Sequence, residues 1–317
     1  MPREEDYPRT LMELERRFSS EEACRAYLRE LRWPDGFRCP ACGAGRGWPA
    51  GRGDLLECAE CHRQTSATAG TIFEGTRKPL AVWFRAMWWM TNQKSGVSAL
   101  GLQRTLGLGS YQTAWAWLHK MRRAMVRPGR DRLRGRVEVD ETYIGGEEPG
   151  VAGRYTEKKA IVVVAIEVHE PKGFGRVRLR QVPDVSGDSL VGFIRDVVDA
   201  GAVILTDGWS GYAGLSQHGY VHEKTVLSAS GDPAHVAMPG VHRVASLLKR
   251  WLLGTHQGAV SNRHLDYYLD EYTFRFNRRT SRSRGKLFYR LIQQAVAVDP
   301  VPYKHLVGGL SLDPGST

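Results

Sequence analysis

Two periodicities divide the chain, and the change between them falls near residue 130. Residues 11–33, LMELERRFSSEEACRAYLRELRW, repeat apolar positions at helical spacing. Within them Ser19-Ser20-Glu21-Glu22 has the composition of an N-cap for a second short helix with Cys24 and Leu28 on its apolar face. From Leu80 the stretch VWFRAMWWMTNQKSG predicts a strongly apolar helix ending near Gly96. SALGLQRTLGLGSYQTAWAWLHKMRRAMV then predicts two helices joined by a glycine turn at Gly107–Gly109. After Pro128-Gly129 the period drops to that of strands. GRVEVDETYIGG, KKAIVVVAIEVH and GRVRLRQVPDV read as strands, Gly187–Ala200 as an amphipathic helix and AVILTD as a short buried strand. From Val241 onward the pattern is largely helical, and EEPGVAGRYTEKK from Glu147 has the composition of an exposed loop.

Three strands, a helix, a further strand and closing helices predict an α/β domain with a mixed sheet. That order is what an RNase H-like fold requires, and a doubly wound sheet is the other arrangement it permits. The expected organisation is N-terminal helices over 1–35, a zinc ribbon over 36–75, a helix-turn-helix segment over 78–128, the α/β domain over 132–296 and a C-terminal tail over 297–317, its last residues frayed.

Composition narrows the class. Hydrophobic residues make up 42% of the 317, enough for a sizeable core. The longest apolar run, Ala160 to Ile166, is strand-sized and far short of the ~20 residues that span a bilayer. The N-terminus MPREEDYPRT lacks the apolar segment of a signal peptide, so a cytoplasmic protein without a membrane partner is expected. Lysine and arginine total 45 against 34 acidic residues, a formal charge of +11 that points to an anionic partner. The arginines concentrate between Arg104 and Arg136 and between Arg243 and Arg290, with aromatics interleaved, which suits a track for phosphates and stacked bases.

Four of the five cysteines form two close pairs, Cys39-Pro-Ala-Cys42 and Cys58-Ala-Glu-Cys61, fifteen residues apart. Each pair offers two thiolates to one tetrahedral ion, and in a reducing compartment the spacing predicts a structural zinc site rather than disulfides. So small a module needs the metal to fold. The fifth, Cys24, reads as a small core residue. In the helical hairpin, Ser110 to Met125 is the candidate recognition helix, with Gln112, His119, Lys120, Arg122 and Arg123 as candidate DNA contacts and at least one of Trp115 and Trp117 in the core.

Two aspartates follow apolar strands: Asp140 in V-E-V-D-E-T-Y-I-G-G and Asp207 in A-V-I-L-T-D-G-W. Carboxyl ends of buried strands are where α/β sheets place ligands. Cutting a phosphodiester requires neutralising the phosphate and activating a water or a 3′-hydroxyl, and two divalent ions about 4 Å apart held by carboxylates do both. Mg²⁺, which prefers oxygen and keeps several waters, is the expected ion.

Taken in order, the paired CxxC motifs, the helical hairpin, VDETYIGG, TDGWSGY, HRVASLLKRWLLGTHQG and HLDYYLDEYTFRFNRR resemble the ISXO2-like insertion-sequence transposases with a DDE-type core, from about Leu11 to Leu291. The resemblance implies an RNase H-like, integrase-like catalytic domain and a site of two aspartates plus a third polar ligand. In that family the third ligand is commonly Glu or Asn, with a lysine seven residues later. The matching positions here are His242 and Lys249, His242 following Asp207 by 35 residues (242 − 207). Positions i and i+7 share one helix face about 10 Å apart. Histidine adds no negative charge and nitrogen suits Mg²⁺ less well than oxygen. Mn²⁺ is therefore the alternative ion, and action on a water or leaving oxygen the alternative role for His242.

Glu271 is the fallback third ligand, its other reading being an ion pair with Arg275 one turn on. Glu141 points across the strand from Asp140 as a supporting group. The resemblance implies a transposase that binds the inverted repeats at its element's ends, cleaves a strand and joins the 3′-hydroxyl to target DNA. Phosphate contacts would come from Lys249, Arg250, Arg275, Arg278 and Arg279, and a homodimer or higher assembly would hold two double-stranded ends. A zinc-ribbon transcription regulator with a non-catalytic α/β domain and a nuclease without joining activity are the rival readings.

Overall fold

The computed structural model describes residues 5–51, 54–127, 129–149, 155–171, 173–225 and 237–308. Two compact units emerge. The first holds the described residues up to Arg127 and those from Thr280 onward; the second holds those between them, through Arg279.

In the first unit α1 (Leu11–Arg17) and α2 (Glu21–Arg32) are capped by Thr10 and Ser20, whose side-chain oxygens accept from Glu13 N and Ala23 N. Cys24 is fully buried, and burial pushes its thiol up to about 12, so it packs as a small apolar residue. β1 (Gly47–Pro49), β2 (Leu55–Cys58) and β3 (Gln64–Ser66) make an antiparallel three-stranded sheet. α3 (Leu80–Asn92) buries Leu80, Trp83, Phe84, Met87, Trp88 and Met90. A helix apolar around so much of its girth sits at the centre of its unit. α4 (Ala99–Leu106) and α5 (Tyr111–Arg123) are joined by a short turn in which Gly107 takes a φ of 60° and Ser110 caps the second helix. Trp117 of α5 stacks on Trp83 at 3.8 Å.

The second unit is an α/β layer built on a mixed five-stranded sheet. β4 (Arg136–Ile144), β5 (Ala160–Val168) and β6 (Phe174–Val182) form an antiparallel meander. α6 (Gly187–Val197) carries the chain to β7 (Val203–Thr206), which lies parallel to β4, and β8 (Val221–Lys224) lies parallel to β7. The spatial order is β6-β5-β4-β7-β8. β5 is buried at every position but the last, as its unbroken apolar run requires of a strand covered on both faces. One face packs on α6 through Val137, Val139, Val163, Ile194 and Ile204. The other receives α7 (Pro239–His256) on β4 and β5 and α8 (Leu265–Phe276) on β6.

Two expectations change here. The catalytic segment was expected to run through residue 296, but α9 (Arg284–Ala295) folds with the first unit: Phe288 lies 5.8 Å from Phe84, 5.7 Å from Trp88 and 6.3 Å from Phe18, ring to ring. Its apolar face matches the surplus apolar girth of α3, a pairing that local periodicity cannot report. The expected tail contains a short helix, α10 (Tyr303–Gly308), with Leu306 buried, while residues 309–317 lie outside those described. The loop expected from Glu147 likewise lies partly outside them, at 150–154. Among the described residues no helix is long and apolar enough to cross a membrane.

Candidate active site and zinc centre

The four paired cysteines converge. Cys39 Sγ lies 3.6 Å from Cys61 Sγ and Cys42 Sγ lies 3.5 Å from Cys58 Sγ, and all four sulfurs fall within 4.8 Å of one another. Sulfurs at about 2.3 Å from a tetrahedral Zn²⁺ stand at such separations, so the donor set fits the ion. Both pairs are made the same way. Gly43 N donates to Cys39 O at 2.9 Å and His62 N to Cys58 O at 3.1 Å, and Gly43 and His62 both take positive φ, 76° and 57°. Each turn curls backbone amides beneath its sulfurs. Amides of Cys42 and Ala41 hold the Cys39 thiol down to about 6, which favours the thiolate a metal needs.

Both aspartates were expected at strand ends, but only Asp207 follows one, after Thr206 of β7; Asp140 stands mid-strand in β4, paired with Val164 of β5. β4 and β7 pair as Arg136↔Val203, Val137↔Ile204 and Glu138↔Leu205. Asp140 and Asp207 each stand two residues past the last pair. By alternation both fall on the face opposite Val137, Val139 and Ile204. Asp140 Oδ1 accepts from Glu141 N at 2.9 Å and Asp207 Oδ1 from Trp209 N at 3.0 Å. The loop after Asp207 is pinned by Trp209 Nε1, which donates to Val185 O at 3.0 Å.

Beneath the aspartates lie two groups that sequence reasoning underused. Tyr212 is fully buried and its hydroxyl donates to Glu141 Oε2 at 3.0 Å. Burial, and then the negative charges of Glu141, Asp140 and Asp207, push its phenol well up, so it stays a donor. Glu141 thus points away from Asp140 into the α6 side, as alternation requires. Glu138, on the Asp140 face, is 3% exposed and its Oε2 accepts from Val241 N at 2.9 Å in the first turn of α7. Burial raises its pKa, and the Val241 and Gly240 amides partly offset the rise. The helix start sits so close that a Cβ on Gly240 would lie 2.8 Å from Glu138 Oε2, 2.9 Å from the Phe174 ring and 3.0 Å from Ile166 Cγ2. Only glycine permits this approach. The available signal was a charged residue inside an otherwise apolar strand, V-E-V-D.

That anchored turn carries His242, whose Nε2 stands 4.0 Å from Asp140 Oδ2. Two donors 4.0 Å apart can share one ion bound at about 2.1 Å from each. Among the described residues the cysteines alone draw three or more donor atoms within 4.8 Å, so Asp140, Asp207 and His242 form a wider set. Lys249 is exposed on the same helix, its pKa lowered by partial burial and by the positive charge of Lys159. Glu271 is fully buried and pairs with Arg275, Nε to Oε1 2.8 Å, the ion-pair alternative.

The expected DNA contacts divide. Gln112, on α5, and Arg250, on α7, are exposed, and Lys120 and Arg123 are half-buried. Arg122 is a correction: at 1% exposure it lies on the inner face of α5 with His119, turned away from any groove, because its position coincides with the apolar stripe that packs the helix. Arg275 faces Glu271 as described. Arg278 lies 4.0 Å over the Phe274 ring, and Arg279 lies 4.2 Å over Phe276 and donates to Gly175 O at 3.1 Å and to Phe174 O, tying the end of α8 to β6.

The chain thus carries a mixed sheet bearing Asp140 and Asp207 and, in its other unit, a four-cysteine cluster that fits zinc. The comparisons agree: residues 132–277 match the ISXO2-like transposase domain and residues 19–64 the transposase zinc-ribbon domain. The two matches make the chain a DNA transposase, a polynucleotidyl-transferase-type enzyme. It is also similar, at 26% identity over 291 residues covering 85% of this chain and 94% of the relative, to a protein of Halobacterium salinarum described as an uncharacterized protein in transposable element ISH50.

Proposed function

We propose that the second unit is an RNase H-like catalytic domain in which Asp140, Asp207 and His242 hold divalent ions, Mg²⁺ or Mn²⁺, that neutralise the scissile phosphate. The parallel pairing of β4 with β7, which runs to two residues before each aspartate, and the 4.0 Å between His242 Nε2 and Asp140 Oδ2 support this reading. The enzyme binds the inverted repeats at both ends of its element, hydrolyses a strand at each, and joins the freed 3′-hydroxyl to target DNA. In joining, the 3′-oxygen bonds to a target phosphorus, and the bond from that phosphorus to its own strand's 3′-oxygen breaks. Lys249 and Arg250 hold non-bridging phosphate oxygens, Gln112, Lys120 and Arg123 meet the duplex, and His242 adds no negative charge of its own. The zinc ribbon holds structural Zn²⁺. Two ends imply a homodimer or larger assembly on double-stranded DNA, acting in the cytoplasm.

Replacing Asp140 or Asp207 with Ala abolishes strand transfer and leaves end binding intact; transfer surviving both changes refutes the assignment. For the third ligand, His242→Ala is compared with Glu271→Ala under Mg²⁺ and Mn²⁺. Full activity in the first with soluble, folded but inactive protein in the second moves the ligand to Glu271. Pre-cut ends yield joined product here, and a pure nuclease gives none.

A further inference from the structure

Within the first unit, the segment Tyr7–Leu11, the end of α3 and the approach to α9 line an open cavity of 690 Å³, a volume that admits a nucleotide. Its lining carries Arg9, Arg282 and Arg284 and no carboxylate. All three arginines are exposed, and among the described residues none is ion-paired. Three other arginines of this unit are ion-paired, Arg17 with Asp6, Arg85 with Glu15 and Arg290 with Glu5. Three arginines around one concavity with no carboxylate in its lining favour an anion there, Glu13 touching Arg9 only at its backbone N. Two aromatic side chains, Tyr7 and Trp88, line the same space. Asn92 donates through Nδ2 to Trp88 O at 2.9 Å, which leaves Oδ1 as an acceptor. The hydroxyls of Thr10 and Ser283 are already committed to capping α1 and α9.

Guanidinium groups grip phosphate oxygens in pairs, aromatic faces stack on unpaired bases, and a concave site takes a nucleotide that has left the duplex more readily than the convex duplex itself. We infer that this cavity binds one unpaired nucleotide of a DNA strand, its phosphate against Arg9, Arg282 and Arg284 and its base against Tyr7. The site lies outside the residues assigned to the chemistry, so failure of the carboxylate assignment leaves it standing.

The test titrates the full-length, zinc-loaded protein, without added Mg²⁺ or Mn²⁺, against fluorescein-labelled oligothymidylate by anisotropy. The double variant Arg9→Ala, Arg284→Ala weakens binding about tenfold or more, and the slope of log affinity against log salt falls by about 0.7 for each phosphate contact removed. Tyr7→Ala weakens binding about tenfold, and Tyr7→Phe restores it. Arg16→Ala, an exposed arginine outside the cavity, matches wild type. The inference is overturned if Arg16→Ala weakens binding as much as the cavity variants. It is overturned equally if blunt duplex loses the same affinity as the single strand, or if inorganic phosphate displaces the oligonucleotide as effectively as unlabelled thymidine oligonucleotide does.

Discussion

The zinc ribbon and the proposed aspartate site would each gather donor atoms for a cation, but they are built by different means. In the ribbon each half of the donor set comes from four consecutive residues, and one backbone turn with positive φ at Gly43 or His62 shapes each half. In the aspartate site every donor comes from a different element: Asp140 from β4, Asp207 from the end of β7, His242 from α7. Nothing local brings them together. The pairing of β4 with β7 and two buried groups do the positioning, Glu138 seating the start of α7 and Tyr212 holding Glu141. The first site stands on metal and the second on the fold, so each should fail in its own way.

The largest effect separates them directly. Cys58→Ser removes a buried thiolate from a module whose zinc supplies on the order of 10 kcal/mol or more of folding energy. Bound zinc should be lost and amide exchange across Leu55–Cys58 should become fast, while Asp140→Asn keeps both zinc and protection and loses only joining. A Cys58→Ser protein with full zinc and protected β2 amides would erase the distinction. Next, Glu138→Ala leaves buried amides at the start of α7 without their acceptor. It should lower stability by roughly 2–3 kcal/mol in denaturant titration, and Glu138→Gln by about 1 kcal/mol. Joining should fall with the first and largely recover with the second at a permissive temperature. Unaltered stability in Glu138→Ala would show that the helix is seated by other means.

The smallest effect concerns charge buried elsewhere in the second unit. Burial pushes the Asp270 carboxyl up to about 8, with Arg130 pulling the other way and Asp266 adding to the rise. A carboxyl whose folded pKa is raised binds a proton in the folded state that the unfolded chain releases. Its stabilisation is complete below the unfolded pKa near 4 and is lost as pH climbs through about 8. Melting temperatures between about pH 5 and pH 8 should therefore fall less steeply in Asp270→Asn than in wild type. An equal slope would remove Asp270 from the account.

What could be read from the chain follows the same division. The ribbon was legible because its chemistry is contiguous: spacing alone places four sulfurs. Asp207 was legible as a strand-end carboxylate, whereas Asp140, read the same way, stands mid-strand because Asp140–Ile144 goes on pairing with Ala160–Val164 of β5. Glu138 and Tyr212 were not assigned roles because their partners lie 103 and 71 residues away. Arg122 misled because arginine on a helix in a basic protein suggests solvent, whereas its angular position puts it among the buried side chains of α5. The edge strand β8 escaped notice because V-H-E-K has no apolar face; it forms by pairing with β7, not by burial.

The short parallel pairing of β4 with β7 has a consequence for how the enzyme can go wrong. Three residue pairs fix that alignment. A slip of two residues preserves which side chains face the core, so hydrophobic burial hardly penalises it, yet it carries Asp207 about 6.6 Å from its rung. Misaligned molecules would be compact, helical and inert. For this chain, end joining is then a more demanding gauge of correct folding than spectroscopy or solubility, and the fraction of joining-competent molecules in a preparation counts those with the right alignment.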